Sequence, residues 1–256
     1  MIHIIYRASD SEKLDIRPKF YSKLLCLKSL LFALKKIKDY TFTLYYDGDR
    51  GEELIEELNR HIPSSVVIRL ALKNNAGSFW CTFQKSLELP DNDWVYFVED
   101  DYLHLDTAIE KLLECIDTIP ADYITLYDHP VRYATDYRFG LDIPHRINKI
   151  YITKSHHWRI QESTCMTFAA KVKTLKEDRL IFERYVKNRD VPEDRELFRR
   201  LQGLFGYEEG SPLRLLIGPI PSLATHCHLS WLAPVINWEE IAKKINHESY
   251  FNGPKS

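Results

Sequence analysis

The sequence of 256 residues lacks the features that would assign it to a membrane or to a nucleic acid. No apolar run reaches the ~18 residues that a membrane span needs, and no charged-then-apolar segment opens the chain. Lys and Arg number 35 against 37 Asp and Glu, so there is no basic excess to attract a duplex nucleic acid. We therefore expect a cytoplasmic protein with no nucleic-acid partner and no transmembrane segment, and leave open a peripheral association with membranes.

The cysteines lack a pairing pattern. Cys26, Cys81, Cys115, Cys165 and Cys227 are scattered, and no two of them stand at the CxxC spacing of a metal or redox site. An odd, dispersed set is typical of buried free thiols in a reducing compartment, which agrees with the expected cytoplasmic location.

Short apolar runs alternate with helical patterns through the first half of the chain. Strands are predicted at residues 2–6, 41–46, 66–72, 94–98 and 123–127. Helices are predicted at residues 20–34 and 51–62, from Ser78 to before Pro90, and after an N-cap at Asp106. Strands and helices that alternate without hairpin signals predict an α/β fold with a mostly parallel, Rossmann-like central sheet flanked by helices.

The second half of the chain is less regular. A short strand and two helices are predicted there, at residues 150–153, 172–186 and 192–205. Asn237 and Glu240 form a capping-box pair, which predicts a C-terminal helix. Because no repeat or linker divides the chain, we expect a single domain over residues 1–256 with an irregular C-terminal half.

Three consecutive acids, Glu99, Asp100 and Asp101, follow the apolar strand at residues 94–98. Ligands of open α/β sheets bind beyond the carboxyl ends of the strands, where this triplet is expected. Adjacent carboxylates repel one another unless they are well solvated or a cation compensates them. Mg²⁺ and Mn²⁺ suit such a site, since they bind one or two carboxylates together with water and substrate phosphates. An acidic surface loop is the alternative explanation.

The segment VYFVEDDYLHLDTAIEKL at residues 95–112 resembles the acid (DXD) motif of GT-A glycosyltransferases. It is most similar to that of the N-acetylglucosaminyltransferases of N-glycan synthesis. The resemblance implies metal-dependent transfer of a sugar from a nucleotide diphosphate sugar, with UDP favoured, to a glycan or another hydroxyl acceptor. It covers about residues 1–130, the implied nucleotide-binding part, and weakens over residues 131–256, the implied acceptor and catalytic part.

The same resemblance implies functions for residues at the strand ends. In the family the third acid contacts the metal, here Asp101, and the second contacts the ribose of the donor, here Asp100. Arg7 and Asp47 match positions that reach the nucleotide, and we count Glu99 with this group. An ordinary surface arginine is the alternative for Arg7. Asp47 begins the sequence Asp-Gly-Asp, which forms turns without a ligand.

Residues 74–79, Asn-Asn-Ala-Gly-Ser-Phe, stand where the family begins the helix that flanks the nucleotide. Asn75, Gly77 and Ser78 are the candidate residues in this segment. Gly77 allows a close approach of the backbone, and Ser78 at the helix N-terminus offers free N–H groups to an anion. A plain helix cap explains the same residues without a ligand.

Two histidines near the C-terminus are candidate metal ligands. The segment PSLATHCHLSWLAP at residues 221–234 resembles the part of GT-A enzymes that supplies a metal-binding histidine, with His226 the better match. His226 and His228 face one ion together only in extended chain. A zinc site that adds His156 and His157 is the alternative, although no Cys or His spacing supports it.

Residues 192–196, Pro-Glu-Asp-Arg-Glu, begin a predicted helix with acids, which the helix dipole favours on structural grounds alone. Inverting enzymes of the resembling family keep an aspartate there as the catalytic base. The resemblance therefore implies Asp194 as the general base, with Glu193 second, although retention stays open. Residues 166–170 and 127–129 are weaker candidates for walls of the donor and acceptor sites.

Two other functions fit parts of the sequence. Nucleotidyltransferases of sugar activation also use metal-binding acids on a doubly wound sheet, but they carry a Gly-rich phosphate loop after the first strand. Residues 7–12, Arg-Ala-Ser-Asp-Ser-Glu, contain no glycine, which argues against this class. A non-catalytic module that binds a sugar or nucleotide is the second alternative.

Overall fold

The computed structural model describes residues 1–133, 149–204 and 213–251. In these residues nine strands form one sheet, in the order β3-β2-β1-β4-β9-β6-β10-β8-β7, and β5 and β11 form a second, small sheet. The strands are β1 Ile2–Ser9, β2 Tyr40–Asp47, β3 Val66–Leu70, β4 Trp94–Glu99, β5 Tyr102–His104, β6 Tyr123–Ile124, β7 Ile150–Ile152, β8 His157–Ile160, β9 Phe168–Lys171, β10 Leu216–Ile220 and β11 Ala224–His226.

The strands of the large sheet run mostly in one direction. β3, β2, β1 and β4 are parallel neighbours, and so are β6 and β10. β9 lies antiparallel between β4 and β6, β8 is antiparallel to β10, and β7 is antiparallel to β8. Only β8 and β9 therefore oppose the common direction among the described strands. The predicted α/β class with a mostly parallel central sheet is confirmed.

Two apolar cores cover the two faces of this sheet, because side chains alternate along a strand. On β1, Ile4 and Tyr6 belong to the first core and Ile5 to the second. Helices α1, α2, α4 and α8 pack on the first core and α3, α5, α6 and α7 on the second. These helices are α1 Lys23–Leu34, α2 Glu52–His61, α3 Asn75–Ser86, α4 Ala108–Thr118, α5 Val172–Glu177, α6 Arg179–Val186, α7 Asp194–Leu201 and α8 Trp238–Phe251.

The elements predicted in the first half are present with shifted ends. The strand predicted at residues 123–127 is reduced to β6, of two residues. Helix α3 begins at Asn75 with Asn74 as its cap, and not at Ser78. The cap of α4 is Thr107, one residue after the predicted Asp106.

The second half contains more sheet than the sequence predicts. The strand predicted at residues 150–153 is β7, whereas β8, β9, β10 and β11 are additional. The helix predicted at 172–186 is divided at Asp178 into α5 and α6, and the carboxylate of Asp178 is bonded to Tyr123 and Arg214. Helix α7 ends at Leu201, and residue 205 of its predicted range lies outside the described residues.

The C-terminal helix α8 confirms its capping prediction. The backbone N–H of Glu240 donates to Asn237 Oδ1 at 3.3 Å. None of the described helices is long and apolar enough to cross a membrane. The five cysteines are free; three are buried and Cys81 and Cys165 are half-buried.

The small sheet joins two segments that are far apart in sequence. β11 pairs antiparallel with β5, and the register puts His226 opposite Tyr102. The backbone N–H of Cys227 also donates to the carbonyl oxygen of Asp101 at 2.8 Å. This pairing fixes a C-terminal histidine next to the acid triplet.

Candidate functional site

A cavity of about 750 Å³ lies at the carboxyl ends of β1, β2 and β4. This volume is within the range of small-molecule sites, roughly 300–1,000 Å³. Most residues that the sequence predicts for a site line it, namely Arg7, Asp47, Asn75, Ser78, Glu99, Asp100, Asp101, Asp194 and His226. Gly77 and Glu193 are not part of the lining.

The described lining of the cavity carries an excess of negative charge. Seven carboxylates face four Lys or Arg side chains, an excess of three. The carboxylates belong to Asp10, Glu12, Asp47, Glu99, Asp100, Asp101 and Asp194, and the bases are Arg7, Lys13, Arg17 and Lys73. Such walls attract a cation and repel a diphosphate that arrives alone.

Each acid of the triplet has a basic partner from β1, from the segment after it or from the first residue of α1. The pairs are Glu99 with Arg7, Asp100 with Lys23 at 3.0 Å, and Asp101 with Arg17 at 2.8 Å. Side chains of the protein therefore offset the repulsion among the three carboxylates. Repulsion among the three carboxylates therefore does not by itself require a metal, contrary to the expectation from the sequence.

Asp101 and His226 form a largely buried polar pair in the cavity wall. His226 Nε2 lies 3.0 Å from Asp101 Oδ2, and the imidazole stacks on the Tyr102 ring at 5.5 Å with an interplanar angle of 6°. Asp101 is only 7% exposed, and its Oδ1 has no hydrogen-bond partner among the described residues. A buried carboxylate oxygen without a donor is costly, and a cation would satisfy it.

Burial and neighbouring charges shift the pKa values of the triplet in different directions. Burial raises the pKa of Glu99 to about 7 and also raises the pKa of Asp100. For Asp101, the charges and hydrogen bonds of His226 and Arg17 outweigh burial and hold the pKa well below its usual range. Burial lowers the pKa of His226, but the charge of Asp101 outweighs it and raises that pKa overall. Asp101 is thus the acid of the triplet whose pKa is lowered, whereas the pKa values of Glu99 and Asp100 are raised.

Asp101 and His226 fit Mg²⁺ or Mn²⁺ as a partial ligand set. These ions take one or two protein ligands and fill the remaining positions with phosphate oxygens and water. In the described parts of the chain, no three His, Cys, Asp or Glu side chains are grouped so that they could hold a metal ion. The alternative zinc site is therefore wrong, and His156 Nε2 instead lies 2.7 Å from the carbonyl oxygen of Pro221.

Arg7 and Asp47 line the cavity with their charged groups already bonded. Arg7 Nη1 donates to both the carbonyl oxygen and the Oδ1 of Asn75, each at 3.1 Å. Asp47 Oδ1 accepts the backbone N–H groups of Leu72 and Lys73 at 2.8 and 3.1 Å. Both side chains hold neighbouring segments in place, and their contact with a nucleotide stays a prediction.

The N-terminus of α3 does not offer the free N–H groups that the sequence suggested. The N–H of Gly77 donates to Asn74 Oδ1 at 2.6 Å, and the N–H of Ala76 donates to the carbonyl oxygen of Asp190. A Cβ at residue 77 would lie 3.2 Å from Asn74 Oδ1, so the glycine accommodates the cap, and its contact with a nucleotide stays a prediction. Ser78 Oγ is buried and has no partner in the described residues.

Asp194 is the first residue of α7 and holds the turn at residues 163–166. Its carboxylate accepts four hydrogen bonds, from Ser163 Oγ, from Thr164 N at 2.9 Å and Oγ1 at 2.6 Å, and from Met166 N at 3.0 Å. These four donors fill the lone-pair positions of a carboxylate. The side chain is therefore firmly oriented at the edge of the cavity.

The turn that Asp194 holds is conformationally unusual. Cys165 and Met166 have φ angles of 46° and 56°, a region that residues other than glycine seldom adopt. Both residues line the cavity, so the turn forms part of its wall. The neighbouring Glu193 is 39% exposed at its side chain and lies 3.4 Å from Arg189, outside the cavity.

Arg17 and Lys23 shape the site but carry no motif in the sequence, and Asn74 lies in the 74–79 segment without being a candidate there. Arg17 and Lys23 follow β1, and Asn74 follows β3. The segments after parallel strands meet at the carboxyl edge of a sheet, where ligands bind. The position of Arg17 and Lys23 between the first strand and the start of the first helix could therefore have indicated from the sequence that they lie at the site.

The chain resembles several solved structures, although no protein-family model and no curated protein matches it. One is S. aureus TarS, with 14% identity over 74% of this chain and 32% of that chain and a TM-score of 0.47. A second is the galactosyltransferase LgtC in complex with donor and acceptor sugar analogues, with 14% identity over 79% and 70% of the two chains and a TM-score of 0.43.

A third similar structure is a 4-diphosphocytidyl-2C-methyl-D-erythritol synthase. It has 10% identity, covers 96% of this chain and 97% of its own, and has a TM-score of 0.47. Similarity at these identities and TM-scores carries no argument about activity. The geometry of the cavity is therefore the basis for any assignment of function.

Proposed function

We propose that the protein is a metal-dependent GT-A glycosyltransferase, which transfers a sugar from a nucleotide diphosphate sugar to a hydroxyl acceptor. The observation that carries this proposal is Asp101, a buried strand-end carboxylate beside His226 in the cavity of about 750 Å³. A cation with a diphosphate is the ligand that suits one carboxylate and one imidazole at the carboxyl edge of an α/β sheet.

Asp101 and His226 would hold Mg²⁺ or Mn²⁺, which when bound offsets the charge that develops on the departing diphosphate. The larger number of acidic than basic side chains in the described lining, seven against four, supports this part of the proposal. A diphosphate adds further negative charge, so its entry is favourable only together with a cation. The unpartnered Asp101 Oδ1 supports it independently.

The nucleoside is assigned to the side of the cavity formed by β1, β2 and α3. Asp100 would contact the ribose, and Ser78 Oγ is a buried hydroxyl that a ligand could engage. Arg7 and Asp47 would frame the base, with Asn75 and Glu99 holding Arg7. UDP is the favoured nucleotide, on resemblance alone.

The acceptor hydroxyl is assigned to Asp194. As the acceptor oxygen bonds to the anomeric carbon, its proton passes to the carboxylate and the diphosphate leaves with the electrons of the broken C–O bond. Ser163 Oγ must first turn away, because all four lone-pair positions of the carboxylate are engaged. Glu193 is the weaker candidate because it lies outside the lining. Attack opposite the leaving group gives inversion.

The remaining assignments stay predictions. They are a similarity to N-acetylglucosaminyltransferases, a glycan acceptor, a cytoplasmic location, no nucleic-acid partner, a peripheral association with membranes, and a single domain with its acceptor part after about residue 130.

A thermal-stabilisation screen tests the donor and the cation together. UDP-, GDP- and dTDP-sugars are compared in Mn²⁺ and in EDTA. A ligand at one hundred times its Kd should raise the free energy of unfolding by about 2.7 kcal/mol, and only with Mn²⁺. Asp101→Asn should lose this gain, whereas Asp117→Asn, the same change on the exposed face of α4, should keep it. Equal stabilisation of both variants with and without Mn²⁺ would refute the metal site.

Product analysis distinguishes the activity from its alternatives. A glycosyltransferase releases nucleoside diphosphate when an acceptor is present. A nucleotidyltransferase consumes a nucleoside triphosphate and releases pyrophosphate, and a binding module releases neither. Release of pyrophosphate, or binding of the donor without turnover over a panel of acceptors, contradicts the proposed activity.

A further inference from the structure

Arg17 contacts both residues of the proposed metal site. Its Nη2 donates to Asp101 Oδ2 at 2.8 Å, and its Nη1 lies 3.5 Å from His226 Nε2. The same Nη1 donates to the carbonyl oxygen of Cys227 at 2.8 Å. With 14% of its side chain exposed, the guanidinium is a largely buried positive charge at the centre of the site.

A divalent cation on the unpartnered Oδ1 of Asp101 would share one carboxylate with the Arg17 guanidinium, which holds Oδ2. Asp101 Oδ2 already accepts from Arg17 and lies next to His226. A cation bound to Asp101 and His226 would lie within a few Å of the guanidinium, where like charges repel strongly. The two positive groups therefore exclude each other, or at least weaken each other's binding.

The surroundings of Arg17 leave room for a second position of its guanidinium. It lies in the segment between β1 and α1, whose residues 11–15 are exposed. Its Nε has no partner in the described parts of the chain, and its guanidinium lies over the Tyr21 ring at 4.9 Å. Arg17 also lines the cavity, so a small rotation of its side chain turns the guanidinium towards a bound ligand. The planar fork of an arginine matches phosphate oxygens.

We propose that Arg17 is an exchangeable counter-ion of this site. In the empty site it neutralises Asp101; when a divalent cation binds there, Arg17 leaves Asp101 and contacts the diphosphate. This inference rests on the proposed function of the same site. It makes Arg17 a competitor of the free cation and a ligand of the nucleotide.

The two functions predict effects of opposite sign in Arg17→Gln. Affinity for Mn²⁺ alone, followed by the electron paramagnetic resonance signal of the free ion, should rise on the order of tenfold, because the competing charge is gone. Affinity for UDP at saturating Mn²⁺ should fall on the order of tenfold, because the phosphate contact is lost. If GDP or dTDP binds the wild type instead of UDP, that nucleotide is used. A misfolded variant would lose both affinities.

Two further variants separate exchange from a general change in charge. Lys23→Gln removes the same charge from the partner of Asp100, so its gain in Mn²⁺ affinity should be clearly smaller than that of Arg17→Gln. Arg17→Lys keeps the charge without the fork, so it should weaken the nucleotide with little gain for Mn²⁺.

Unchanged or weaker Mn²⁺ binding in Arg17→Gln overturns the exchange, and so does an equal gain in Lys23→Gln. If neither the wild type nor Arg17→Gln binds Mn²⁺, the exchange is wrong. Nucleotide binding without metal in that case would still be compatible with a glycosyltransferase that needs no cation. If Mn²⁺ binds with the predicted gain but no nucleoside diphosphate binds, the competition is supported and the proposed function and the phosphate contact fail.

Discussion

At the scale of single residues, the site is defined by which charged groups are paired before a ligand arrives. Glu99 and Asp100 are half-buried carboxylates with one basic partner each, and desolvation raises both of their pKa values. Asp101 has two cationic neighbours and one oxygen without a donor. The three adjacent acids therefore differ in chemistry, and Asp101 combines a lowered pKa with a buried oxygen that has no partner among the described residues.

The general-base assignment is tested by Asp194→Asn. We expect turnover to fall by about 10² to 10⁴, because the amide has no proton affinity, while nucleotide affinity stays unchanged. The fold should also lose about 1–3 kcal/mol, since the amide nitrogen cannot accept the hydrogen bonds of the 163–166 turn. Initial rates, nucleotide affinity and urea unfolding are measured on one preparation.

Ser163→Ala is the matched control for Asp194→Asn. It removes one donor to the carboxylate and leaves the base in place. We expect it to retain most of the turnover at a similar or smaller loss of stability. Comparable turnover in both variants would assign Asp194 a purely structural function.

Acid sensitivity of the fold is expected from His104. Its ring is fully buried against the Tyr96 hydroxyl at 2.9 Å, and burial lowers its pKa from 6.5 to about 3. Below pH 6.5 the unfolded chain takes up a proton that the fold does not, so stability falls as the pH falls. The slope is about 1.4 kcal/mol per pH unit for one such group.

Urea unfolding between pH 6 and pH 4.5 measures that slope. His104→Gln should make it shallower by about one proton, roughly 1.4 kcal/mol per pH unit. Tyr96→Phe removes the hydrogen bond without removing the titrating ring, so it should lower stability by a similar amount at each pH. Equal slopes for His104→Gln and the wild type would contradict the assignment.

At the scale of elements, sequence patterns predict the strands and helices that are determined by local interactions. The apolar run before the triplet becomes β4, and the amphipathic pattern near residue 54 becomes α2. Strands β9 and β11 have only four and three residues, too few for a periodic signal, and long-range pairing stabilises them. The position of His226 beside Asp101 depends on that pairing. The hydrophobic pattern of the sequence therefore could not predict this position, and only the resemblance to GT-A enzymes suggested it.

A largely buried ion pair lies at the junction of α5 and α6. Arg214 holds both carboxylate oxygens of Asp178 at 2.9 Å, and Asp178 is only 1% exposed. Arg214→Met leaves that carboxylate buried without its cation, so we expect a loss of about 3–5 kcal/mol in the free energy of unfolding. Arg214→Lys keeps the charge and should lose less. Urea midpoints of both variants check this, and a loss below 1 kcal/mol in Arg214→Met would contradict it.

At the scale of the whole molecule, one sheet joins both halves of the chain. β9 lies between β4 and β6, and β10 continues the sheet on the other side of β6. Residues of the C-terminal half therefore complete the cores that the N-terminal half begins. The cavity repeats this arrangement, since Asp101 and His226 come from opposite halves. Folding of the site and of the sheet should thus occur together.

Phe168 on β9 tests this coupling, because its side chain is packed among rings from both halves. Its centroid lies 5.2 Å from that of Phe97 on β4 and 5.2 Å from that of Phe198 on α7, and it is fully buried. Phe168→Ala should lower the free energy of unfolding by about 3–5 kcal/mol, whereas Phe168→Leu, which keeps most of the volume, should lose about 1.5 kcal/mol or less. Leu180→Ala on an exposed position of α6 should change the free energy of unfolding by less than about 0.5 kcal/mol.

If the halves fold together, Phe168→Ala shifts one cooperative urea transition to a lower midpoint, and fluorescence and circular dichroism report the same midpoint. Two separate transitions in this variant would show that the halves unfold independently in spite of the shared sheet.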